Sequence, residues 1–162
     1  RLRLKRSRVS WPLSLEWNRF VPAIELFGDS LPLQCGDTFL IPKSAKAIEH
    51  LWVIVTEVDP VTNNAICVNV TSKQSHSDTT VVLVAGDHRF IRHDSVIMYA
   101  DAREMRIDLV EQALSKPTNQ FVCQAHDPCT PALLERIRQG LLASKQTPKE
   151  IKKKCKDLWG TR

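Results

Sequence analysis

The chain has 162 residues, 43% of them apolar and 6% aromatic, and carries a formal net charge of +5. That length suits one domain with a single core and some appendages. No apolar run approaches the roughly 20 residues that a membrane-spanning helix needs, so no membrane association is expected.

The charge is segregated along the chain. Arg1, Arg3, Lys5, Arg6 and Arg8 put +5 into the first eight residues, residues 145–156 carry another +5, and the remainder sums to −5. Basic ends of this kind attract polyanions at long range without base specificity. Two solvated, frayed termini account for the same charge. Five cysteines stand at positions 35, 67, 123, 129 and 155. Their odd count and irregular spacing, with a basic start that no apolar h-region follows, point to reduced thiols in a cytoplasmic protein. An Arg- and Ser-containing start without acids is also the composition of a transit peptide.

In chain order, residues 1–34 read as a basic tail followed by an apolar arm that Pro12 and Pro22 interrupt. Residues 35–127 read as the folded domain. Cys35 to Pro42 reads as a turn and then a first strand, and Lys43 to Glu49 is a polar loop. His50-Leu51-Trp52-Val53-Ile54-Val55-Thr56 is a second strand, bounded by the turn cluster Asp59 to Asn64. Ala65 to Val70 is a third, with Cys67 as a small core residue. Val81 to Val84, Phe90 to His93 and Asp94 to Tyr99 complete a set of short β-branched runs split by Pro, Asn, Asp and Gly. Such spacing, without helical periods between, predicts a small antiparallel barrel or sandwich. A short helix over about 108–115, capped by Asp108, follows, and then an edge strand over 121–125.

Residues 128–162 predict a C-terminal pair of helices. Thr130-Pro131 starts the first, whose stripe is Leu133, Leu134, Ile137, Leu141 and Leu142, with Gly140 weakening it. Thr147-Pro148 starts the second, with the face Ile151, Cys155, Leu158 and Trp159. The expected fold class is therefore mostly β with appended α.

Several of these residues resemble PemK/MazF-type toxins. Gly36-Asp37-Thr38-Phe39 looks like the Gly-Asp that opens that family's first strand. His50 to Thr56 resembles its second strand, Val68-Asn69-Val70-Thr71-Ser72 its third, and Ser95-Val96-Ile97 with Asp101-Ala102-Arg103 its late strand and exit. The resemblance covers about residues 35–110. It implies a small SH3-like barrel, a homodimer, metal-independent cleavage of single-stranded RNA, and an antitoxin partner that covers the RNA groove. Thr71 matches the family's functional threonine, with Ser72 beside it. The family's Arg-Pro pair has no match; His50 and Leu51 stand in its place.

Metal-free RNA cleavage needs a base for the 2′-hydroxyl, a cation for the developing phosphorane charge and an acid for the leaving oxygen. His50 and Thr71 are the candidate catalytic residues. Ser72, Lys73, His76, Arg89 and Arg92 are the candidate substrate-binding residues. No cofactor or metal is required. Each choice has a plainer counterpart. His50 also suits a polar strand boundary, Thr71 and Ser72 a strand end, and residues 87–94 a salt-bridged turn. Cys123, His126 and Cys129 suit zinc chemically but lack a fourth ligand. No phosphate-binding glycine loop or nucleophile elbow is present. The leading expectation is an RNA-directed endoribonuclease toxin. Its rivals are a non-catalytic barrel that binds, and a nucleic-acid-binding regulator acting through the Lys-rich C-terminus.

Overall fold

A computed structural model of the chain describes residues 32–42, 49–115 and 123–160. The basic tail, the apolar arm, the 43–48 loop and Phe121-Val122 of the expected edge strand lie outside the described residues. The order of elements is β1 (Thr38–Pro42), β2 (Glu49–Ile54), β3 (Asn64–Ser72), β4 (Val82–Leu83), β5 (Ser95–Arg106), α1 (Ile107–Ser115), β6 (Gln124–His126), α2 (Pro131–Ala143) and α3 (Lys149–Trp159). The strands form one antiparallel six-stranded sheet, β4-β5-β3-β2-β1-β6, curled into a half-barrel. The protein is thus mostly β with appended helices.

Strand alternation divides the apolar residues between two faces. Leu51, Val53, Ile66, Val68, Ile97 and Tyr99 point to one face, where Leu133, Ile137 and Leu141 of α2 and Cys155 of α3 cover them. Phe39, Trp52, Ile54, Ala65 and Cys67 point to the other, where Ile107 and Val110 of α1 pack. β2 and β3 are buried on both sides, which is why they read as nearly continuous apolar runs, broken in β3 by Asn69. The connection between them is fixed by Asp59, whose carboxylate accepts the N–H groups of Val61 and Thr62 at 2.8 and 2.9 Å. Those bonds hold the Asp59 carboxyl below the usual carboxylate range. Asn63 takes a left-handed φ of 57°, a conformation Asn tolerates.

Two features of the sheet depart from regular ladders. Between the pairs Cys67–Arg103 and Asn69–Met98 the register slips, so that five steps along β5 answer two along β3. A bulge of this size bends the strand and re-aims its side chains. The edges of the curled sheet also meet through side chains rather than a ladder. His88 Nε2 lies 2.6 Å from Asp127 O, which accepts from Thr38 Oγ1 at 2.8 Å as well. His88 Nδ1 accepts the Phe90 N–H at 3.1 Å, so a carbonyl that only accepts and an amide that only donates fix its tautomer. Phe90 sets its ring edge against His126.

Some expectations need correction. Phe90 to His93 is a turn within this seam, not a strand, because His88 and Ile91 are drawn inward while Arg89, Arg92 and His93 stay exposed. The run at 81–84 contributes only two paired residues. β5 runs on to Arg106 instead of ending near Tyr99, because the bulge takes up the residues between Met98 and Arg103 without ending the pairing. α1 begins at Ile107, so Asp108 lies within its first turn, paired with Arg106, rather than capping it. Thr130 caps α2 as its sequence implies, accepting Leu133 N–H at 3.2 Å. Thr147 does not cap α3; its hydroxyl donates to Leu141 O at 2.7 Å and ties the two helices together. Leu158 is 58% exposed and does not join the α3 face.

Gly140 explains how α2 sits on the sheet. A Cβ there would lie 2.5 Å from Val81 Cγ2 and would collide with the Tyr99 hydroxyl, which donates to Ile137 O at 2.9 Å. Gly140→Ala should therefore destabilise the protein by about 1–3 kcal/mol or more in urea unfolding. The roughly 1 kcal/mol gain in helix propensity would be overridden, and a stabilised variant would contradict this packing.

Candidate functional site

β2 and β3 pair with Trp52 opposite Asn69. Continuing that register outward brings His50 level with Thr71, at the end of the sheet where Ser72 pairs with Ser95. Alternation puts His50, Trp52, Asn69 and Thr71 on the face that α1 only partly covers. The β5 bulge then turns Asp101 and Arg103 toward them. Together with Ile41 and Met98 these residues line a cleft of about 200 Å³.

The contacts inside the cleft fix several orientations. His50 Nδ1 lies 3.3 Å from Val70 O, which can only accept, so Nδ1 carries the hydrogen and Nε2 keeps its lone pair. Arg103 lays its guanidinium over the Trp52 ring, 5.1 Å from the centroid. It also donates from Nε to Asp101 O at 3.1 Å, with the Asp101 carboxylate 3.9 Å from Nη2. Its side chain is still 56% exposed, so it can meet an anion from solvent. Asn69 is buried, and its Nδ2 reaches Asp101 Oδ2 at a long 3.5 Å. Among the described residues its Oδ1 has no hydrogen-bond partner. An unsatisfied buried polar atom costs about 1–3 kcal/mol, so this one is conspicuous.

A second, wider cleft of about 760 Å³ lies along the seam, lined by Arg89, Phe90, Arg92, His93, Ala125, His126 and Asp127. Arg89 reaches the Asp127 carboxylate at 3.6 Å, and the ring centroids of His88 and His126 are 5.1 Å apart.

The structure therefore divides the residues selected from the sequence. His50 and Thr71 meet in the first cleft. Ser72, one residue on and so facing the other way, bonds His93 Nε2 at 2.8 Å. Lys73 approaches Asp94 at 3.9 Å, and its N–H donates to Asp94 O at 3.0 Å, closing the β3–β5 end. His76 is exposed in the loop after β3 and lines neither cleft. Arg89 and Arg92 belong to the seam. Among the described residues, the salt bridges expected within 87–94 do not form; their charged groups pair outside the turn, Asp94 with Lys73 and Arg89 with Asp127. Asp87 is held by Arg136 at 2.8 Å, and that contact draws its carboxyl below the usual range. Asn69, Asp101 and Arg103 had not been selected as site residues. In the sequence, Asp101 and Arg103 stand out only as the exit of the late strand in the family resemblance, because nothing in that segment announces a bulge.

Cys123 and Cys129 point to opposite faces of the sheet, so the zinc spacing does not assemble. Among the described residues no three His, Cys, Asp or Glu side chains converge on a metal site. Burial pushes the thiols of Cys35 and Cys123 up to about 11, and those of Cys129 and Cys155 up to about 12, which leaves them unreactive near neutral pH. Among the described residues no helix is long and apolar enough to cross a membrane. The chain matches no protein-family model and no curated protein sequence.

In the seam cleft, His126 links stability to pH. Burial first, then the neighbouring His88, lowers its pKa below the ordinary 6.5, against the opposing pull of Asp127 and Glu49. The unfolded chain then binds more protons than the folded one below about pH 6.5, so stability falls as pH drops through that value. Urea unfolding at pH 7.5 and 5.5 should show a loss on acidification that His126→Gln reduces. An equal loss in both proteins would remove His126 as the cause.

Proposed function

We propose that this chain is a PemK/MazF-like, RNA-directed SH3-like barrel and a metal-independent endoribonuclease of a toxin–antitoxin pair. The observation that supports this reading most is the convergence of His50, Thr71 and Arg103 on one small, partly exposed cleft. The resemblance alone supplied the threonine but no cation. Arg103 reaches the site from β5 and supplies one, in place of the Arg-Pro pair that His50-Leu51 lacks.

The chemistry follows from the orientations. His50 Nε2, bare because Nδ1 is committed to Val70 O, accepts the proton of a ribose 2′-hydroxyl. The 2′-oxygen attacks the adjacent phosphorus. Arg103 offsets the charge that develops on the non-bridging oxygens, and the Thr71 hydroxyl orients one of them. The bond from phosphorus to the 5′-oxygen breaks, and that oxygen takes its proton from water at the open rim. The products are a 2′,3′-cyclic phosphate and a 5′-hydroxyl. The setting in this reading is cytoplasmic, the protein is a homodimer, and an acidic antitoxin covers the cleft.

A non-catalytic, nucleic-acid-binding regulator is the second reading. It is favoured by α3, where Lys149, Lys153 and Lys156 are exposed, while Lys154 is spent on Glu104 and Lys152 on Ser144 O.

Expression of the intact chain in a bacterium should arrest growth. The purified protein should cut single-stranded RNA in EDTA, leaving cyclic phosphate ends. His50→Ala and Arg103→Ala should each slow cleavage by roughly 100-fold or more, and Thr71→Ala should slow it less. RNA left intact by the wild type would refute the enzyme. If RNA is then bound, and Lys149→Glu, Lys153→Glu and Lys156→Glu together abolish binding, the regulator reading holds.

A further inference from the structure

Asn69 and Asp101 have no part in the cleavage step, yet they shape the inner end of the cleft. The Asp101 carboxylate can only accept hydrogen bonds, so it takes the Nδ2 side of the Asn69 amide and leaves Oδ1 without a partner. Oδ1 is itself only an acceptor. The lining of the cleft therefore includes a carboxylate and, behind it, a buried amide oxygen, both acceptors, and the amide oxygen has no donor among the described residues. Thr71, where the phosphodiester is placed, lies two residues farther along β3, roughly 7 Å away. That separation is within reach of one nucleotide. A cleft of about 200 Å³ is smaller than the pockets that hold drug-sized ligands and suits a single base. The exposed guanidinium of Arg103, already stacked on Trp52, offers its outer face as a platform for a planar ring.

We propose that Asn69 and Asp101 read a guanine beside the scissile bond, Oδ1 and the carboxylate accepting its N1–H and N2–H groups. This rests on the RNA-directed reading above. The other bases fit less well. Uracil offers one N–H between two acceptors, and adenine and cytosine offer an amino group flanked by a ring acceptor. Only guanine sets two donors next to each other on its Watson–Crick edge, and a mismatched base would leave the buried Asn69 oxygen unpaired.

The test uses fluorescein-labelled pentaribonucleotides U-U-G-U-U, U-U-A-U-U and U-U-I-U-U, where I is inosine, which lacks the N2 amine. Their affinities for the full chain are read by fluorescence anisotropy in EDTA at 4 °C, with 2′-deoxy sugars at the second and third positions so that neither bond flanking the central base can be cleaved. The guanine oligomer should bind roughly tenfold or more tighter than the adenine one, with inosine between them. Asp101→Asn, which puts a donor where an acceptor stood, should erase the guanine-to-adenine ratio. Asp101 is exposed, and its exchange leaves the core intact. Equal binding of all three oligomers by the wild type, or a ratio that survives Asp101→Asn, would overturn the base reading and leave the RNA-directed reading standing. Binding of none of them would overturn both.

Discussion

The slip in register between β3 and β5 is the constraint on which the site depends. β2 and β3 are covered on both faces, so their alternation is rigidly specified, and a one-residue shift would drive apolar side chains into solvent. β5 cannot run past them as a regular strand and still present Tyr99 and Ala102 to the α2 side while Met98, Asp101 and Arg103 face the other. The extra residues opposite Val68 reconcile those demands. They also free the backbone to turn a carboxylate and a guanidinium toward His50 and Thr71. The features that stabilise the core and those that build the cleft are the same.

The two clefts differ in their electrostatics. In the first, Arg103 is held by Asp101 and Trp52 but keeps half its surface in water, so its charge is positioned without being spent. The seam cleft has more basic groups, yet Arg89 leans on Asp127, and His88 is committed at both ring nitrogens to closing the half-barrel. Its composition fits a structural clasp first. That difference, rather than the number of cations, is why the proposed chemistry is placed at His50 and Thr71.

Much of this was legible in the sequence, for identifiable reasons. β2 and β3 announce themselves because burial on both faces leaves little that is polar to interrupt them, Asn69 being the exception within β3. That His50 and Thr71 share one face follows from alternation once Trp52 stands opposite Asn69. Thr130-Pro131 marks α2 because capping is a local interaction. What stayed hidden was long-range. The turn at 88–93 contains β-branched and aromatic residues that read as a strand. It is bent by contacts with Asp127 and His126, more than thirty residues away in the chain. Arg103 belongs to the site only through the bulge, and a bulge is chosen by the two faces that a strand must satisfy together, not by the residues inside it. Thr147 repeats the Thr-Pro signature of Thr130 but is claimed by a carbonyl of the preceding helix.

The central claim is that nucleic acid meets this protein at the cleft on the face of β2, β3 and β5 that α1 only partly covers. A ¹H–¹⁵N correlation spectrum of the intact chain, titrated with single-stranded RNA carrying a 2′-deoxy block, tests it most directly. The account predicts that the amides of Trp52, Asn69, Thr71 and Arg103 shift first and saturate together. Shifts confined to α3 or to the seam around Arg89 and Arg92, with those four amides unmoved, would contradict it.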